Sequence, residues 1–204
     1  MIGLTLDFDR ETHQYICDGH LVPSVTTIVA PLGEDYDEPD EFAELAIDAA
    51  AERGTVLHAY IEHRLRGGER ESFELPPDYE DYADGVEQFL AEHEIVPWLV
   101  ETPMTDGEFA GTPDLVCEFD ELPAILDYKF VSSVSKSRVL GQLGGYLKLC
   151  EYNDVYPQEL NAVQFMRGDY RLYPVNIVTA EQAWKECVAV YRRKTMKHKR
   201  GAIG

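Results

Sequence analysis

The fold predicted for this chain depends on the segment GTPDLVCEFDELPAILDYKF, residues 111–130. Two apolar runs flank a short EFDEL turn, a pattern typical of a β-hairpin. Side chains alternate between the two faces of a strand, so Asp127 and Lys129 are predicted to share one face, about 7 Å apart. Asp114 leaves the Gly111–Pro113 bend at the start of the preceding strand. The hairpin can therefore bring Asp114 beside Asp127.

The two carboxylates and the lysine point to a catalytic site. Converging carboxylates suit a hard cation such as Mg²⁺, which prefers oxygen ligands and retains bound water. A metal-bound water is a better nucleophile, and the metal neutralises charge in a phosphoryl-transfer transition state. Lys129 would add a positive charge for the water or a phosphate oxygen. The set suits phosphodiester hydrolysis, although each motif alone is more often a surface ion pair or a simple turn.

Two helical segments carry further polar pairs. RGTVLHAYIE places His58 and Glu62 at i and i+4 on one helix face, where the pair could face a metal. GQLGGYLKL places Gln142 and Tyr146 at the same spacing, where they could hold the lysine and a DNA phosphate. The alternatives are a structural histidine and an ordinary amphipathic face.

Strand signals occur along the whole chain. THQYICDGHLVPSV is typical of an N-terminal hairpin, and Ser24 is a candidate cap for a short helix that closes at Gly33. A final hairpin is expected around Gly168. Between them, three strands are expected in IVPWLVETPM, FAGTPDLVCEF and LPAILDYKFV.

Helical spacing marks four longer segments. In the segment 41–65, Gly54 could break or bend the helix and Gly67 is expected to end it. Thr179 is a candidate cap for the segment 179–199. The acidic segment EDYDEPDE, residues 34–41, is predicted to be a solvated loop. The helical segments cover residues 41–65, 78–94, 135–153 and 179–199.

This element order predicts an α/β fold of the mixed α+β kind, with a central mixed β-sheet flanked by helices. A chain of 204 residues with 45 % apolar residues is sufficient for one domain with a real core. We therefore expect a single domain over residues 1–204. It would comprise the hairpin and short helix (1–33), a core (39–178) and a C-terminal helix with a basic tail (179–204).

The charge of the chain is strongly acidic and unevenly distributed. The net charge is −20, but the last fourteen residues hold six lysines or arginines and no acid. The first 190 residues carry 38 acids against twelve bases, a charge of −26. This balance argues against nonspecific binding of nucleic acid. The tail from Arg192 to Arg200 is the candidate phosphate-binding segment, or else a solvated helix end whose bases complement the helix dipole.

The four cysteines, at positions 17, 117, 150 and 187, form no Cys-x-x-Cys pair. We therefore predict neither a zinc ribbon nor an iron–sulfur cluster. No apolar run approaches the length of a membrane span, and the N-terminus lacks the basic segment of a signal peptide. The sequence predicts a cytoplasmic protein without a membrane partner.

Five of these motifs occur in the order typical of one nuclease family. The motifs are HQYICDGHLVPSVTTIV, RGTVLHAYIE, GTPDLV, LDYKF and QLGGY. Over about residues 13–150, the chain resembles the PD-(D/E)xK nuclease superfamily in its RecB-like and phage-type exonuclease branch. The resemblance implies a restriction-endonuclease-like core and hydrolysis of DNA with Mg²⁺ or Mn²⁺.

The resemblance also implies roles for individual residues. Lys129 would be the catalytic lysine, and Gln142 and Tyr146 would order the site and the DNA backbone. The metal ligands would be His58, Asp114, Asp127 and the carbonyl of Tyr128.

Other residues would support this site. Glu62 is a candidate partner of His58, and Glu101, on the strand before GTPD, could also reach the site. The candidate nucleic-acid contacts are Ser132, Ser133, Arg192, Arg193 and Lys194.

The leading hypothesis is a metal-dependent DNA exonuclease of recombination, repair or end processing, of the kind that phages encode. An endonuclease of the same fold, structure-specific or nicking, is the first alternative. The second belongs to another class: an acidic partner-binding or inhibitor protein on a nuclease fold, favoured by the −26 charge of the first 190 residues. The partners expected are DNA and a recombination or annealing protein, and self-association stays open.

Overall fold

Groups of consecutive strands alternate with groups of helices along the chain. The computed structural model describes residues 4–9, 12–30 and 41–201, with side chains outside 41–49 and 197–201. The strands are β1 Leu6–Asp9, β2 Gln14–Cys17, β3 His20–Val22, β4 Ile95–Val100, β5 Met104–Thr105, β6 Ala110–Gly111, β7 Leu115–Phe119, β8 Leu122–Lys129, β9 Glu159–Met166 and β10 Asp169–Val175. The helices are α1 Val25–Val29, α2 Glu41–Leu65, α3 Glu80–Glu92, α4 Lys136–Tyr152 and α5 Ile177–Gly201. Two short 3-10 turns lie at Arg70–Ser72 and Pro77–Tyr79.

The hairpin predicted over residues 111–130 forms the middle of a five-stranded sheet with the order β10-β9-β8-β7-β4. β7 and β8 pair antiparallel, with Leu115 opposite Leu126. β8 and β9 pair parallel, so the sheet is mixed. The turn between β7 and β8 has positive φ angles at Asp120 (47°) and Glu121 (73°), as expected of a tight hairpin turn. The predicted fold class, a mixed sheet flanked by helices with an antiparallel N-terminal element, is confirmed.

Helices cover both faces of this sheet. On one face, Ile125 of β8 belongs to a core that includes residues of α1, α4 and α5. On the other face, the neighbouring Leu126 belongs to a core that includes residues of α2 and α3. A strand buried on both sides needs apolar residues at successive positions, which explains the run Ala124–Leu126.

Glycines allow α4 to pack closely against its neighbours. A Cβ atom added at Gly144 would lie 2.1 Å from the carbonyl oxygen of Ala180 in α5. One added at Gly145 would lie 2.7 Å from a methyl carbon of Val25 in α1. The glycines therefore serve contact between helices, and α4 forms despite their low helix propensity.

The N-terminal element has one more strand than the sequence predicted. β2 and β3 form the expected hairpin, and β1 adds to it to give the order β1-β2-β3. Ser24 caps α1 as predicted, since its Oγ accepts a hydrogen bond from the Thr27 amide at 2.9 Å. α1 ends at Val29; Gly33 and residues 34–40 of the predicted acidic loop lie outside the described residues.

Two strand predictions and two helix predictions require correction. The chain breaks after Val100, where Glu101 adopts a φ of 44°, so IVPWLVETPM forms β4 and β5 rather than one strand. FAGTPDLVCEF is likewise divided into β6 and β7. α2 runs through Gly54 without a break, and it ends just before Gly67, as predicted. The cap of α5 is Asn176, not Thr179, because Oδ1 of Asn176 accepts a hydrogen bond from the Thr179 amide at 3.0 Å.

Within the part of the chain that the structure describes, no helix is both long enough and apolar enough to cross a bilayer. All four cysteines are buried free thiols. The division of the chain at residues 33 and 179 stays a prediction.

Candidate active site

Glu101 and Asp114 meet where β4 ends and β7 begins. The Glu101 amide donates a hydrogen bond to the carbonyl oxygen of Asp114 at 3.1 Å. Glu101 adopts its positive φ at this point, a conformation that is uncommon for a residue with a side chain and that clusters at functional sites. The break after β4 therefore allows Glu101 to join Asp114 at this end of the two strands.

His58 approaches both carboxylates from α2. Its Nδ1 atom lies 3.2 Å from Oε1 of Glu101 and 3.6 Å from Oδ1 of Asp114. One ligand atom from each of these three residues can be chosen so that all three lie within 4.8 Å of one another. Carboxylate and imidazole groups at this separation could hold one divalent cation. We call His58, Glu101 and Asp114 the carboxylate–histidine cluster.

Asp114 is fixed by strand β8. Its Oδ2 atom accepts a hydrogen bond from the Tyr128 amide at 2.6 Å, and the residue is only 9 % exposed. Its Oδ1 atom faces Nδ1 of His58. One oxygen therefore orients the side chain while the other remains available to a ligand.

Asp127 and Lys129 lie next to this cluster on β8. Asp127 is fully buried, and Nζ of Lys129 lies 2.6 Å from its Oδ2 atom. Despite this short ion pair, neither carboxylate oxygen of Asp127 accepts a hydrogen bond of good geometry from the described residues. Buried polar atoms are normally satisfied, so the spare acceptor capacity of Asp127 fits the coordination of a cation.

A chain of polar contacts leads from Lys129 into α4. The ammonium donates a hydrogen bond to Oε1 of Gln142 at 3.1 Å, and Nε2 of Gln142 donates to the Tyr146 hydroxyl at 3.0 Å. The i, i+4 spacing on α4 places the amide between the lysine and the phenol. Gln142 therefore holds Lys129 beside Asp127.

The electrostatics of the site follow from burial and charge. Burial disfavours the imidazolium of His58, but the charges of Asp114 and Glu101 outweigh it and raise the pKa of His58 to about 9. Burial raises the pKa of Asp127 to about 6, although Lys129 opposes the shift. Burial also raises the pKa of Asp114. For Lys129, burial alone would lower the pKa, yet Asp127 and Asp114 raise it overall, so the side chain is an ammonium ion at neutral pH.

The carboxylate–histidine cluster and Lys129 border a cavity of about 530 Å³, whereas Asp127 is fully buried and is not among the described residues that line it. That volume is typical of sites that enclose a small ligand. The predicted site residues that line the cavity are His58, Glu62, Glu101, Asp114, Tyr128, Lys129, Gln142 and Tyr146.

Other predicted site residues lie apart from this group. Ser132 and Ser133 are exposed in the bend after β8 and are not among the described residues that line the cavity. Arg192 pairs with Glu108, between β5 and β6, and Arg193 donates a hydrogen bond to the Ala189 carbonyl.

The remaining predicted site residues are Lys194, Glu62 and Tyr128. Lys194 is exposed on α5. Glu62 lines the cavity, but its carboxylate pairs with Arg66 at 2.9 Å, whereas the partners of His58 are Glu101 and Asp114. The Tyr128 side chain is buried in the core on the α2 side, and its carbonyl as a metal ligand stays a prediction.

The sequence interpretation missed part of the cavity lining. Phe8, His13, Tyr15 and Thr112 also line it. The alternation of apolar and acidic residues in LDFD, residues 6–9, was the available signal for β1. The pairing of Phe8 with Tyr15 across β1 and β2 depends on a register that the sequence does not specify.

Comparison with known proteins gives distant similarities only. No protein-family model and no curated protein match the sequence. The structure is similar to LHK-Exo in complex with dAMP, at 12 % identity and a TM-score of 0.43, over 90 % of this chain and 95 % of that chain. A second structure of LHK-Exo, an alkaline exonuclease from Laribacter hongkongensis, gives 12 % identity and a TM-score of 0.40, over 89 % and 93 % of the two chains. SSO0001 gives 14 % identity and a TM-score of 0.37, over 81 % and 84 %. Similarities at this level do not assign the chain to a family.

Proposed function

We propose that this chain is a Mg²⁺- or Mn²⁺-dependent deoxyribonuclease that removes nucleotides from DNA ends. The observation that carries the proposal is the ion pair of buried Asp127 with Lys129 beside the carboxylate–histidine cluster, with Lys129 and the cluster lining one cavity. A cation site next to a charged lysine is what hydrolysis of a phosphodiester requires. The motif resemblance described above supports the same chemistry.

The residues that would hold the cation are Asp114, Asp127, His58 and Glu101. Three of them form the carboxylate–histidine cluster. The fourth, Asp127, lies outside that cluster with a buried carboxylate whose close partner is the Lys129 ammonium. When bound, Mg²⁺ or Mn²⁺ would polarise the attacking water and neutralise negative charge on the phosphate. Glu101 takes a more central part in this proposal than the sequence alone suggested.

Lys129 would stabilise the charge that develops on the phosphate. Its raised pKa keeps a proton on Nζ at neutral pH, so it can donate hydrogen bonds but cannot act as a general base there. Gln142 would fix the position of the ammonium, because its carbonyl oxygen accepts from Nζ and its amide is held by Tyr146.

We further propose that the chain acts on DNA ends, in recombination, repair or end processing. The proposed partners are a protein that anneals or recombines DNA and further copies of the same chain. Ser132, Ser133 and the basic residues Arg192–Lys194 would contact DNA outside the cavity.

The test is a cleavage assay on end-labelled linear DNA and on closed circular DNA, each with Mg²⁺, with Mn²⁺ and with chelator. Metal-dependent loss of the linear DNA alone is expected. Cleavage of the circle would replace the exonuclease with an endonuclease of the same chemistry. A folded protein that cleaves neither DNA with either metal would contradict the nuclease proposal and favour the acidic partner-binding protein.

A further inference from the structure

One part of the cavity lining is aromatic and comes from the N-terminal sheet. Phe8 of β1 and Tyr15 of β2 lie directly opposite each other across the two strands. Their rings are stacked, with centroids 4.5 Å apart and planes inclined by 19°. His13 stands edge-on to Phe8 at 6.1 Å. We call Phe8, His13 and Tyr15 the aromatic wall; all three line the cavity.

The aromatic wall is attached to the carboxylate–histidine cluster through Thr112. The Tyr15 hydroxyl and Oγ1 of Thr112 share a hydrogen bond of 2.8 Å, and Thr112 precedes Asp114 by two positions. Tyr15 is 6 % exposed and packs in a small core with Val22 and Ala110, which holds its ring in place. Phe8 is half-buried on top of that fixed ring.

Apart from the proposed cation site and Lys129, the cavity offers little to attract phosphate groups. Among the described residues that line it, Lys129 is the only lysine or arginine, and its ammonium is already paired with Asp127. Glu62, Glu101 and Asp114 add negative charge to the same lining. Contacts to phosphates, which normally dominate the affinity for nucleic acids, are therefore scarce in the cavity itself.

Stacking on aromatic rings is the other common source of affinity for nucleic acids. Every base has an aromatic face, so stacking tolerates any sequence. In a duplex these faces are covered by neighbouring bases, and a base must leave the stack before a protein can reach it. An aromatic wall beside a cation site therefore suits a base that is no longer paired.

We propose that the aromatic wall, with Phe8 as its outer ring, is a stacking site for an unpaired nucleobase of the DNA strand to be cleaved. The inference rests on the proposed nuclease function and specifies its substrate: a single-stranded or frayed end, without preference for one base. The base on the wall would hold its strand beside the carboxylate–histidine cluster.

The test measures binding separately from cleavage. Fluorescently labelled single strands, each carrying one abasic nucleotide at a successive position from the end, are titrated with the protein in Ca²⁺. The variants are Phe8→Leu, which removes the ring but keeps an apolar side chain, and Phe8→Trp, which keeps a stacking surface. Phe73→Leu is the control, because Phe73 is also half-buried but packs against Tyr60 and is absent from the described cavity lining.

We expect Phe8→Leu to weaken binding of the intact strand about 5- to 150-fold, the usual effect of losing one stacked base. One abasic position should weaken binding to the wild-type protein by a similar factor, and it should not weaken binding to Phe8→Leu further. Phe8→Trp and Phe73→Leu should bind as the wild type does. Two results would overturn the stacking site. One is that Phe8→Leu and every abasic position lower the affinity independently of each other; the other is that Phe8→Leu binds the intact strand as tightly as the wild type does.

Cleavage with Mg²⁺ and Mn²⁺ is recorded in parallel, so the two proposals can fail separately. If the protein cleaves DNA but Phe8 shows no coupling to any base, the nuclease proposal stands and the stacking site is contradicted. If Phe8 and one base are coupled in binding but no DNA is cleaved, the stacking site stands and the nuclease proposal is contradicted.

Discussion

Nζ of Lys129 lies 2.6 Å from Oδ2 of Asp127, two residues earlier on the same strand. Both groups are buried or nearly so, with side-chain exposures of 21 % and 0 %. A buried ion pair is weak support for stability, because the loss of hydration offsets the attraction between the charges. Its position beside the carboxylate–histidine cluster fits the catalytic role that we propose for Lys129.

Bound cation should stabilise the protein through Asp114. At a Mn²⁺ concentration of one hundred times Kd, binding would add about 2.7 kcal/mol to the free energy of unfolding. For a domain of this size, that corresponds to a rise in Tm of about 5–10 °C. In Asp114→Asn the rise should be mostly lost, because the amide is a poorer cation ligand.

The measurement is thermal unfolding with and without Mn²⁺, after treatment with chelator. Asp81→Asn is the matched control, since it removes the same unit of charge from an exposed ion pair with Arg167. This control should keep the full rise. An equal rise in Asp114→Asn would show that the cation binds elsewhere.

Two glycines should respond in opposite ways to substitution by alanine. Gly144→Ala should lower the free energy of unfolding by about 1–3 kcal/mol, because the new Cβ would collide with the Ala180 carbonyl and separate α4 from α5. Gly54→Ala should raise it by about 0.5–1 kcal/mol, since nothing lies within 4 Å of that Cβ position on α2. Urea unfolding of both variants tests the packing. A stabilised Gly144→Ala variant would contradict the described contact of α4 and α5.

A partly buried network between α2 and α3 should make stability depend on pH. Glu87 accepts hydrogen bonds from Tyr60 and from Arg64, the latter at 2.7 and 2.8 Å. Burial raises the pKa of Glu87, but the hydrogen bonds from Arg64 and Tyr60 outweigh it, so the pKa is lowered overall. A lowered pKa adds stability above the pKa of the unfolded chain, near 4.5, and this stability is lost as the pH falls through the folded-state value.

Glu87→Gln should therefore be less stable than the wild type by about 1–3 kcal/mol at pH 7. The difference should shrink as the pH falls below about 4.5, because the wild type then becomes protonated. Urea unfolding of both proteins from pH 7 to pH 3 measures it. A difference that stays constant over this range would show that the carboxylate charge contributes nothing.

The net charge of −20 should make the protein more stable in salt. Repulsion among the carboxylates opposes the folded state, and the screening length falls from about 10 Å at 0.1 M salt to about 3 Å at 1 M. We expect the midpoint of urea unfolding to rise between these concentrations of KCl and to rise equally in NaCl. A fall in both salts would show that the ion pairs of the surface outweigh the repulsion.

The sequence predicted those parts of the site that local periodicity determines. The two-residue repeat of a strand placed Asp127 and Lys129 on one face, and the 3.6-residue repeat of a helix placed Gln142 beside Tyr146. The hairpin turn was also predicted, because the short EFDEL segment separates two apolar runs, and Asp120 within it is a residue type that favours positive φ angles.

The remainder of the site depends on contacts between distant segments. Glu101 reaches His58 because the backbone turns sharply after β4. Pro103 marks an interruption of the strand, but the positive φ angle falls on Glu101, a residue type that does not indicate it. Phe8 meets Tyr15 through a strand register, and Tyr15 meets Thr112 across 97 positions of sequence. Asn176 caps α5 instead of Thr179, because asparagine is the stronger N-cap residue and the helix begins three positions earlier than predicted from its apolar pattern.

The central claim is that Lys129 and its neighbours hydrolyse phosphodiester bonds with a bound cation. The most direct measurement compares the single-turnover cleavage rate of end-labelled linear DNA, in saturating Mn²⁺, for wild type, Lys129→Ala and Lys148→Ala. Lys148 is the matched control, a partly buried lysine of α4 that pairs with Glu151 and Glu181. We predict that Lys129→Ala loses at least about a hundredfold in rate while remaining folded, and that Lys148→Ala cleaves as the wild type does. A folded Lys129→Ala protein that cleaves at the wild-type rate would contradict the account.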